Sequence, residues 1–290
     1  MQISLRDKDT RVAFFLGWAF IFSVFGFFTY FVFDIGMKGV SGLSLAYLTS
    51  EPAKSGRAGG ILPVLTATLL ILSVCLCVTI PLGVLTSGFL SELCGVRPRL
   101  ARVVRFLMEV LAGIPSIVFG LFGNVFFCKV LGFGFSILSG GLTLACMALP
   151  IFIRTTEQGL SGIPREIRLA GQALGFSQGR VFFSVMVPCA SPAIVVATIL
   201  SVGRALAETA ALIFTSGYVD RMPESLMDSG RALSVHIYDL SMNISGGERM
   251  AYSASLVLMA LILFIHIVSG LVSRYWLNRT MAISDAMGRV

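Results

Sequence analysis

Six long apolar stretches, separated by more polar segments, constrain the fold of this chain more than any other feature of its sequence. They lie at about residues 12–33, 62–90, 104–127, 135–153, 187–217 and 250–276. A helix needs about 20 apolar residues to cross a bilayer, and each stretch is close to that length or longer. Only 13% of the residues are charged, against about 25% in soluble domains. The sequence therefore predicts an all-α fold, a polytopic membrane bundle with six transmembrane helices.

The basic residues indicate which way the bundle crosses the membrane. When the N-terminus is placed in the cytoplasm, the cytoplasmic segments hold about twice as many lysines and arginines as the outside segments. Because short cytoplasmic loops are enriched in these residues, we expect a multi-pass protein of the cytoplasmic (inner) membrane with both termini cytoplasmic. The first stretch is too long for the core of a signal peptide and predicts a retained span. The net charge of +7 reflects this loop bias, and without a basic stripe or interleaved aromatic residues it does not indicate nucleic-acid binding.

Turn residues and one interior proline mark where the spans are interrupted. Residues 34–61 and 218–249 are rich in turn residues or mixed charges and are predicted to lie outside. The second of these segments could carry a short helix. Pro115 lies inside the third stretch and predicts a kink or a break. A packing kink and a functional gate both fit this position, because broken spans are tolerated against protein or a cavity.

The sequence offers little for catalysis or metal binding. It has two histidines, His236 and His266, and six cysteines that mostly lie in or beside apolar stretches. A metal cluster needs several such ligands close together, and a membrane-embedded enzyme needs a nucleophile with a base. We therefore expect no catalytic residues, no metal site and no cofactor bound by this chain, and interpret the cysteines as small apolar side chains. A membrane-embedded transferase and a structural scaffold are the alternatives from other functional classes.

A narrow polar stripe is predicted along the fifth apolar stretch. If residues 187–217 form one helix at about 100° per residue, then Ser201, Arg204, Glu208 and Thr215 fall within an arc of about 60°. A charge at mid-bilayer costs about 2.5–3.5 kcal/mol on insertion scales. Arg204 and Glu208 could form a buried pair that fixes helix packing, but their i, i+4 spacing alone adds only a few tenths of a kcal/mol. The favoured hypothesis is a path for an anion, in which Arg204 offers a fork of donors that Glu208 holds while the path is empty.

The segment IPREIRLAGQALGFSQGRVFFSVMVP, residues 163–188, resembles the loop by which membrane subunits of binding-protein-dependent ABC importers dock on their ATPase. The residues assigned to this loop are Glu166, Arg168, Ala170, Gly171, Gly175 and Pro188. Such loops usually carry a glutamate before an Ala-Ala pair, whereas here Leu169 stands at the glutamate position. Glu166, about one helical turn earlier, is the candidate to replace that glutamate. Gly175 is predicted to form the turn between two short cytoplasmic helices.

Several further strings are similar to one family of permeases. GRALAETAALIFTSG at 203–217 resembles the fifth-span signature of phosphate-specific ABC importer permeases, in which an R-A-x-x-E-T-A run precedes L-x-F-T. GVSGLSLAYLT at 39–49, RFLMEVLAGIPSIVFGLFG at 105–123 and LPIFIRTTEQGL at 149–160 agree in order and spacing. The strings at 39–49 and 149–160 favour the A-type subunit over its C-type partner. Residue matching places Arg204 and Glu208 on the charged pair that this family uses in the phosphate path.

The resemblance implies a type I ABC importer permease fold and a definite set of partners. We expect an N-terminal transmembrane helix and external loop at 1–60, a permease core at 61–276 and a cytoplasmic tail at 277–290. The implied partners are a C-type phosphate permease subunit, two copies of a cytoplasmic ABC ATPase that binds ATP and Mg, and an extracytoplasmic phosphate-binding protein. The implied function is ATP-driven import of inorganic phosphate, coupled to the ATPase through the loop at 154–186. An importer of another oxyanion, such as sulfate or molybdate, is the alternative.

Overall fold

The predicted helical bundle is present in the computed structural model, which describes residues 8–96 and 98–287. Its helices are α1 (Lys8–Val40), α2 (Leu45–Thr49), α3 (Leu62–Val96), α4 (Pro98–Gly113), α5 (Ser116–Gly123), α6 (Ile137–Ser161), α7 (Arg165–Ala173), α8 (Gln178–Val181), α9 (Val187–Cys189), α10 (Ser191–Ala207), α11 (Ala210–Ile213), α12 (Leu233–Met242) and α13 (Glu248–Met287). Two π-helical segments, Asn124–Val130 and Phe182–Met186, continue α5 and α8. The described part of the chain also contains a small antiparallel hairpin, Pro52–Ala53 with Ala58–Gly59.

The prediction of six spans agrees with the lengths of these helices. Within the described ranges, α1, α3, α6 and α13 are each long and apolar enough to cross a membrane. Two bent pairs raise the number to six if each counts as one crossing. The first pair joins α4 to α5 with a bend of 99°, and the second joins the α8–α9 segment to α10 with a bend of 70°.

The break predicted at Pro115 lies between α4 and α5. α4 ends at Gly113, Pro115 has an extended ψ of 143°, and α5 begins at Ser116. Because proline has no N–H to donate along the helix and clashes with the preceding turn, the helix stops before it. α4 is therefore a separate half-helix whose direction differs from that of α5.

The fifth apolar stretch is not the single helix that the sequence predicted. α10 ends at Ala207, and Glu208 (ψ 128°) and Thr209 (φ −120°, ψ −50°) leave the helical conformation before the short α11. A neighbouring element satisfies one backbone group that this break exposes, since Ser234 donates to the Glu208 carbonyl at 2.6 Å. Beyond the end of α11, Asn124 Nδ2 donates to the Phe214 carbonyl at 2.8 Å. A break of this kind is stable inside a membrane only with such partners.

α6 lies in the middle of the bundle, directly against α3. A side chain on Gly141 would meet Val74, and one on Gly83 would meet Phe152. These glycines let the two helices approach closely, and the order of the contacts shows that α3 and α6 run parallel. The largest cluster of buried apolar residues surrounds this contact and includes residues of α3, α5, α6, α10, α11 and α12.

The polar segments gather at the two ends of the bundle. The loop end is formed by residues 41–61 and 214–247, which are tied together by the buried cluster of Tyr47, Ile61 and Leu233. The hairpin end is formed by residues 162–190, which pack on the last turn of α6 through the buried cluster around Leu160. α1 continues to Val40, so residues 34–40 of the first segment predicted to lie outside are helical.

Candidate functional site

A cavity of about 420 Å³ opens between α4 and α6. α4 supplies Arg105, Met108, Glu109 and Ala112, which are spaced i, i+3, i+4 and i+7 and therefore share one helix face. α6 supplies a matching face, α3 contributes Leu90 and α10 contributes Arg204. The residues of α6 that line the cavity are Pro150, Ile151, Ile153, Arg154, Glu157, Gln158 and Ser161.

Two ion pairs cross this cavity from α4 to α6. Arg105 donates through both Nε and Nη2 to Glu157 Oε1, at 2.8 and 2.6 Å. Arg154 Nη1 donates to Glu109 Oε1 at 3.0 Å. α4 and α6 each carry an arginine followed by a glutamate along the chain. Because the two helices run antiparallel, each arginine faces the glutamate of the other helix.

The two pairs differ in how much water reaches them. The side chains of Arg105 and Glu157 are 39% and 11% exposed, whereas those of Arg154 and Glu109 are 63% and 57% exposed. An exposed pair contributes about 0–1 kcal/mol to stability, because water competes for both partners. The Arg105–Glu157 pair is therefore the stronger connection between α4 and α6.

Arg204 reaches the same cavity from the last turn of α10. Its side chain is half-buried, and the described part of the chain offers it no hydrogen-bond or ion-pair partner. Together with Arg105 and Arg154 it gives the lining three guanidinium groups against two carboxylates. The cavity therefore carries an excess of one positive charge.

Two close contacts between α6 and the segment α10–α11 show which part of α6 lies beside Arg204. A side chain on Gly159 would meet Ala193 of α10, and one on Gly140 would meet Leu212 of α11. α10 and α11 thus run antiparallel to α6, and Arg204, between these points, lies near the level of Pro150. Arg154 lies about one helical turn, roughly 5 Å, nearer the hairpin end.

The other members of the predicted stripe lie outside the cavity. Glu208 follows the end of α10 and its carboxylate accepts a hydrogen bond from the Ala211 N–H at 3.1 Å. The hydroxyls of Ser201 and Thr215 are fully buried and donate to carbonyls of their own turns. The expectation that all four side chains share one face is wrong, because the helix that would align them ends at Ala207. Their roles in a substrate path stay predictions.

The segment predicted to dock on an ATPase forms a helical hairpin at the hairpin end. Gly175, with φ +78°, forms the predicted turn between α7 and α8. Gly171 is buried against Val181, which lets the two helices touch. Arg168 Nη2 donates to the Leu160 carbonyl at 3.0 Å and connects α7 to the end of α6.

The outer face of this hairpin is exposed. Glu166 and Ala170 are exposed, and so is Leu169, which stands at the position where a glutamate was expected. Leu169 and Glu166 are spaced i, i+3 and therefore lie on one face of α7. Leu174, just before the turn, is 74% exposed. Pro188 lies in α9, immediately before the 70° bend into α10.

A buried polar cluster lies at the loop end, around α12. Arg231 forms ion pairs with Asp239 at 3.2 Å and with Asp220 at 3.6 Å, and its Nε donates to the Tyr218 carbonyl at 2.7 Å. His236 is buried beside it, with Nδ1 3.4 Å from Arg231 Nη1. Burial, followed by the charge of Arg231, lowers the pKa of His236 to about 4. No group of three or more metal-ligating side chains occurs among the residues described.

Sequence reasoning did not single out four of the charged cavity residues. Arg105, Glu109, Arg154 and Glu157 lie within the strings at 105–123 and 149–160. A signal was available, since charges spaced i, i+4 and i, i+3 within apolar stretches share a helix face. That signal places Arg105 and Glu109 on one face of α4 and the other two charges on one face of α6. It does not say that these two faces meet.

Known proteins similar to this chain point to one class of transporter. Residues 80–283 match the family described as "Binding-protein-dependent transport system inner membrane component". The probable ABC transporter permease protein YqgI of Bacillus subtilis is 30% identical over 285 residues, covering 93% of this chain and 95% of that protein. The phosphate transport system permease protein PstA of Haemophilus influenzae is 32% identical over 211 residues, covering 72% of this chain and 74% of that protein. In fold, the chain is similar to a bacterial ABC transporter involved in alginate import, with a TM-score of 0.67, 14% identity, and coverage of 92% and 98% of the two chains.

Proposed function

This chain belongs to the family of binding-protein-dependent transport system inner membrane components, and we propose that it is the permease subunit of an ATP-driven importer of inorganic phosphate. Permease subunits of this family are multi-pass membrane proteins and not enzymes. The identity of the substrate, inorganic phosphate, is the part that we propose. It is supported by the phosphate permease named among the relatives and by the chemistry of the cavity.

The observation that carries the proposal is Arg204, a guanidinium that lines the cavity and has no partner among the described residues. An arginine inside an apolar helix costs about 2.5–3.5 kcal/mol on insertion scales, and no ion pair with a described residue offsets that cost. A guanidinium stays charged at any physiological pH and presents a planar fork of donors to an oxyanion. The excess positive charge of the lining has the sign that an anion needs.

Glu208 is proposed to act at the break in the fifth span. Its carboxylate holds the first turn of α11, and its backbone carbonyl is held by Ser234 of α12. It lies one residue past the end of α10, near Arg204 in sequence but not paired with it in the described structure. A carboxylate in this place limits how tightly an anion binds, which suits a conduit because tight binding slows release.

In this proposal the hairpin end and both termini face the cytoplasm. The exposed face of α7, with Glu166 and Leu169, and the turn at Gly175 are the docking surface for the ATPase, which holds ATP and Mg. The buried cluster around Leu160 connects the hairpin to the end of α6 and to the bend before α10. Movement of the hairpin would therefore reach two of the helices that line the cavity. The C-type permease subunit completes the membrane unit, and the phosphate-binding protein docks at the loop end.

The test is transport by a reconstituted complex. The chain is co-purified with its ATPase and permease partners, placed in liposomes with the binding protein, and assayed for phosphate-dependent ATP hydrolysis and ³²P-phosphate uptake. Arg204→Gln should leave the complex assembled and lower uptake at least about tenfold, because a neutral amide does not offset the desolvation of a dianion. Arg204→Lys should recover part of the activity, since a point charge replaces a fork.

Two controls make the result specific. Arg99→Gln removes the same charge from an exposed position on α4 outside the cavity lining and should leave uptake unchanged. Sulfate and molybdate, added as competitors, should not inhibit. Uptake at the unaltered rate in Arg204→Gln contradicts the path, and strong inhibition by sulfate or molybdate assigns the importer to that oxyanion.

A further inference from the structure

The two ion pairs that cross the cavity have unequal strengths, and the difference bears on what an anion meets after Arg204. We propose that Arg154 and Arg204 form an oxyanion subsite within the cavity and that Glu109 is its built-in, exchangeable counter-ion. This inference rests on the proposed function for the direction in which the anion travels. The Arg105–Glu157 pair stays closed and holds α4 against α6.

The exposure of the two pairs decides which of them opens. Arg154 and Glu109 share one hydrogen bond at 3.0 Å and are 63% and 57% exposed. A pair this exposed favours the closed form by at most about fivefold. Arg105 makes two hydrogen bonds to Glu157, whose side chain is 11% exposed, so parting those groups would strand a largely buried carboxylate.

The positions of Arg204 and Arg154 along α6 determine the order in which an anion meets them. Arg204 lies near Pro150, and Arg154 lies about one helical turn nearer the hairpin end. An anion between them can accept hydrogen bonds from two guanidinium forks, which favour tetrahedral oxyanions over spherical anions. Gln158 and Ser161, which line the same face of α6 beyond Arg154, are neutral and lead toward the hairpin end.

Exchange of Glu109 keeps the net charge of the subsite nearly constant. When the site is empty, Glu109 neutralises Arg154, and the cavity does not hold two unpaired guanidinium groups. When an oxyanion arrives, it replaces the carboxylate, which turns to water because it is already more than half exposed. Competition of this kind keeps the site weak, as release from a multi-site path requires.

The test is equilibrium binding of ³²P-phosphate to the permease–ATPase complex in nanodiscs of neutral lipid, without the binding protein. Glu109→Gln should tighten binding about 1.5- to 5-fold, because an internal competitor of that strength is removed. Arg154→Gln should weaken binding about tenfold or more, the effect expected for a lost charge-assisted hydrogen bond. In the double variant, Glu109→Gln should have no further effect, since its influence acts through Arg154.

The matched control is Arg99→Gln, an exposed arginine of the same helix α4 outside the cavity lining. It should change the dissociation constant by less than about 1.5-fold, since exposed charges beyond the Debye length are screened. Weaker binding in Glu109→Gln, or equal weakening in Arg99→Gln and Arg154→Gln, overturns the proposal.

Further arms separate the possible sources of the oxyanion and the two proposals. Phosphate binding that persists in nanodiscs of anionic lipid supports the subsite, whereas binding lost there assigns the cavity to a lipid headgroup and overturns it. Phosphate uptake by liposomes without any binding in nanodiscs overturns the subsite and leaves the proposed function standing. Binding with the expected variant profile but without phosphate uptake supports the subsite and overturns the proposed function.

Discussion

Replacing Glu157 with glutamine tests how firmly α4 is held against α6. The substitution removes the charge that accepts two hydrogen bonds from Arg105, at 2.8 and 2.6 Å. Breaking a fully buried pair costs about 3–5 kcal/mol, and breaking an exposed one costs about 0–1 kcal/mol. Because Arg105 is 39% exposed while Glu157 is 11% exposed, water screens part of the interaction. We therefore expect a loss of about 1–2 kcal/mol, between these limits.

The assay is the midpoint of thermal unfolding of the purified complex. It is monitored as the fraction of the complex that remains monodisperse after heating. A loss of this size corresponds to about 2–8 °C at roughly 2–4 °C per kcal/mol. A double-mutant cycle with Arg105→Gln isolates the interaction, and the coupling energy should be about 1–2 kcal/mol.

The chain provides its own matched comparison. Glu109 and Arg154 join the same two helices with the same residue types, but both side chains are more than half exposed. The corresponding cycle should give a smaller coupling energy, about 0–1 kcal/mol. Equal coupling in the two cycles would refute the argument that exposure separates a structural pair from an exchangeable one.

Three further results are expected. Gly175→Leu, at φ +78° with open space around it, should lower co-purification of the ATPase and phosphate-stimulated ATP hydrolysis, because a side chain there costs about 1–2 kcal/mol of backbone strain; the exposed helical Gly179→Leu should have a smaller effect, and equal effects would contradict the reason given. Gly123→Ala should lower the unfolding midpoint, since its methyl group would collide with Thr143 and overpacking costs about 1–3 kcal/mol; Gly113→Ala, which meets nothing, should not. The folded pKa of His236 is lowered to about 4, below the unfolded value of about 6.5, so its contribution to stability is present above pH 6.5 and is lost as the pH falls toward 4. His236→Asn should reduce the pH dependence of the unfolding midpoint between pH 6.5 and 4, and an unchanged pH dependence would exclude this histidine as its cause.

The fifth span is partly determined by its own sequence and partly by distant residues. The apolar composition predicted a helix through residues 187–217, and α10 occupies the middle of that stretch. The prediction of a polar stripe was wrong because helical periodicity assumes an unbroken helix. Nothing local to Glu208 and Thr209 indicates a break, since the Glu208 carbonyl that it exposes is held by Ser234, which is distant in sequence.

Several features were determined by the sequence alone, because their causes are local. Six apolar stretches of sufficient length require membrane helices whatever their arrangement. Pro115 ends α4 since it lacks an N–H, and Gly175 forms the turn between α7 and α8 because its φ of +78° is readily adopted only by glycine. Each of these follows from bond geometry or from burial within a few residues.

Only the tertiary structure decided which charges meet. Arg105 and Glu157 are separated by 52 residues, and their pairing depends on the direction of α4, which ends before the break at Pro115, and on the face that α6 presents. The same packing leaves Arg204 in the cavity with no partner among the described residues, whereas local spacing had predicted its pairing with Glu208. Side-chain periodicity fixes a residue's own helix face, but the partner of that face is set by packing between helices, which no short segment of sequence encodes.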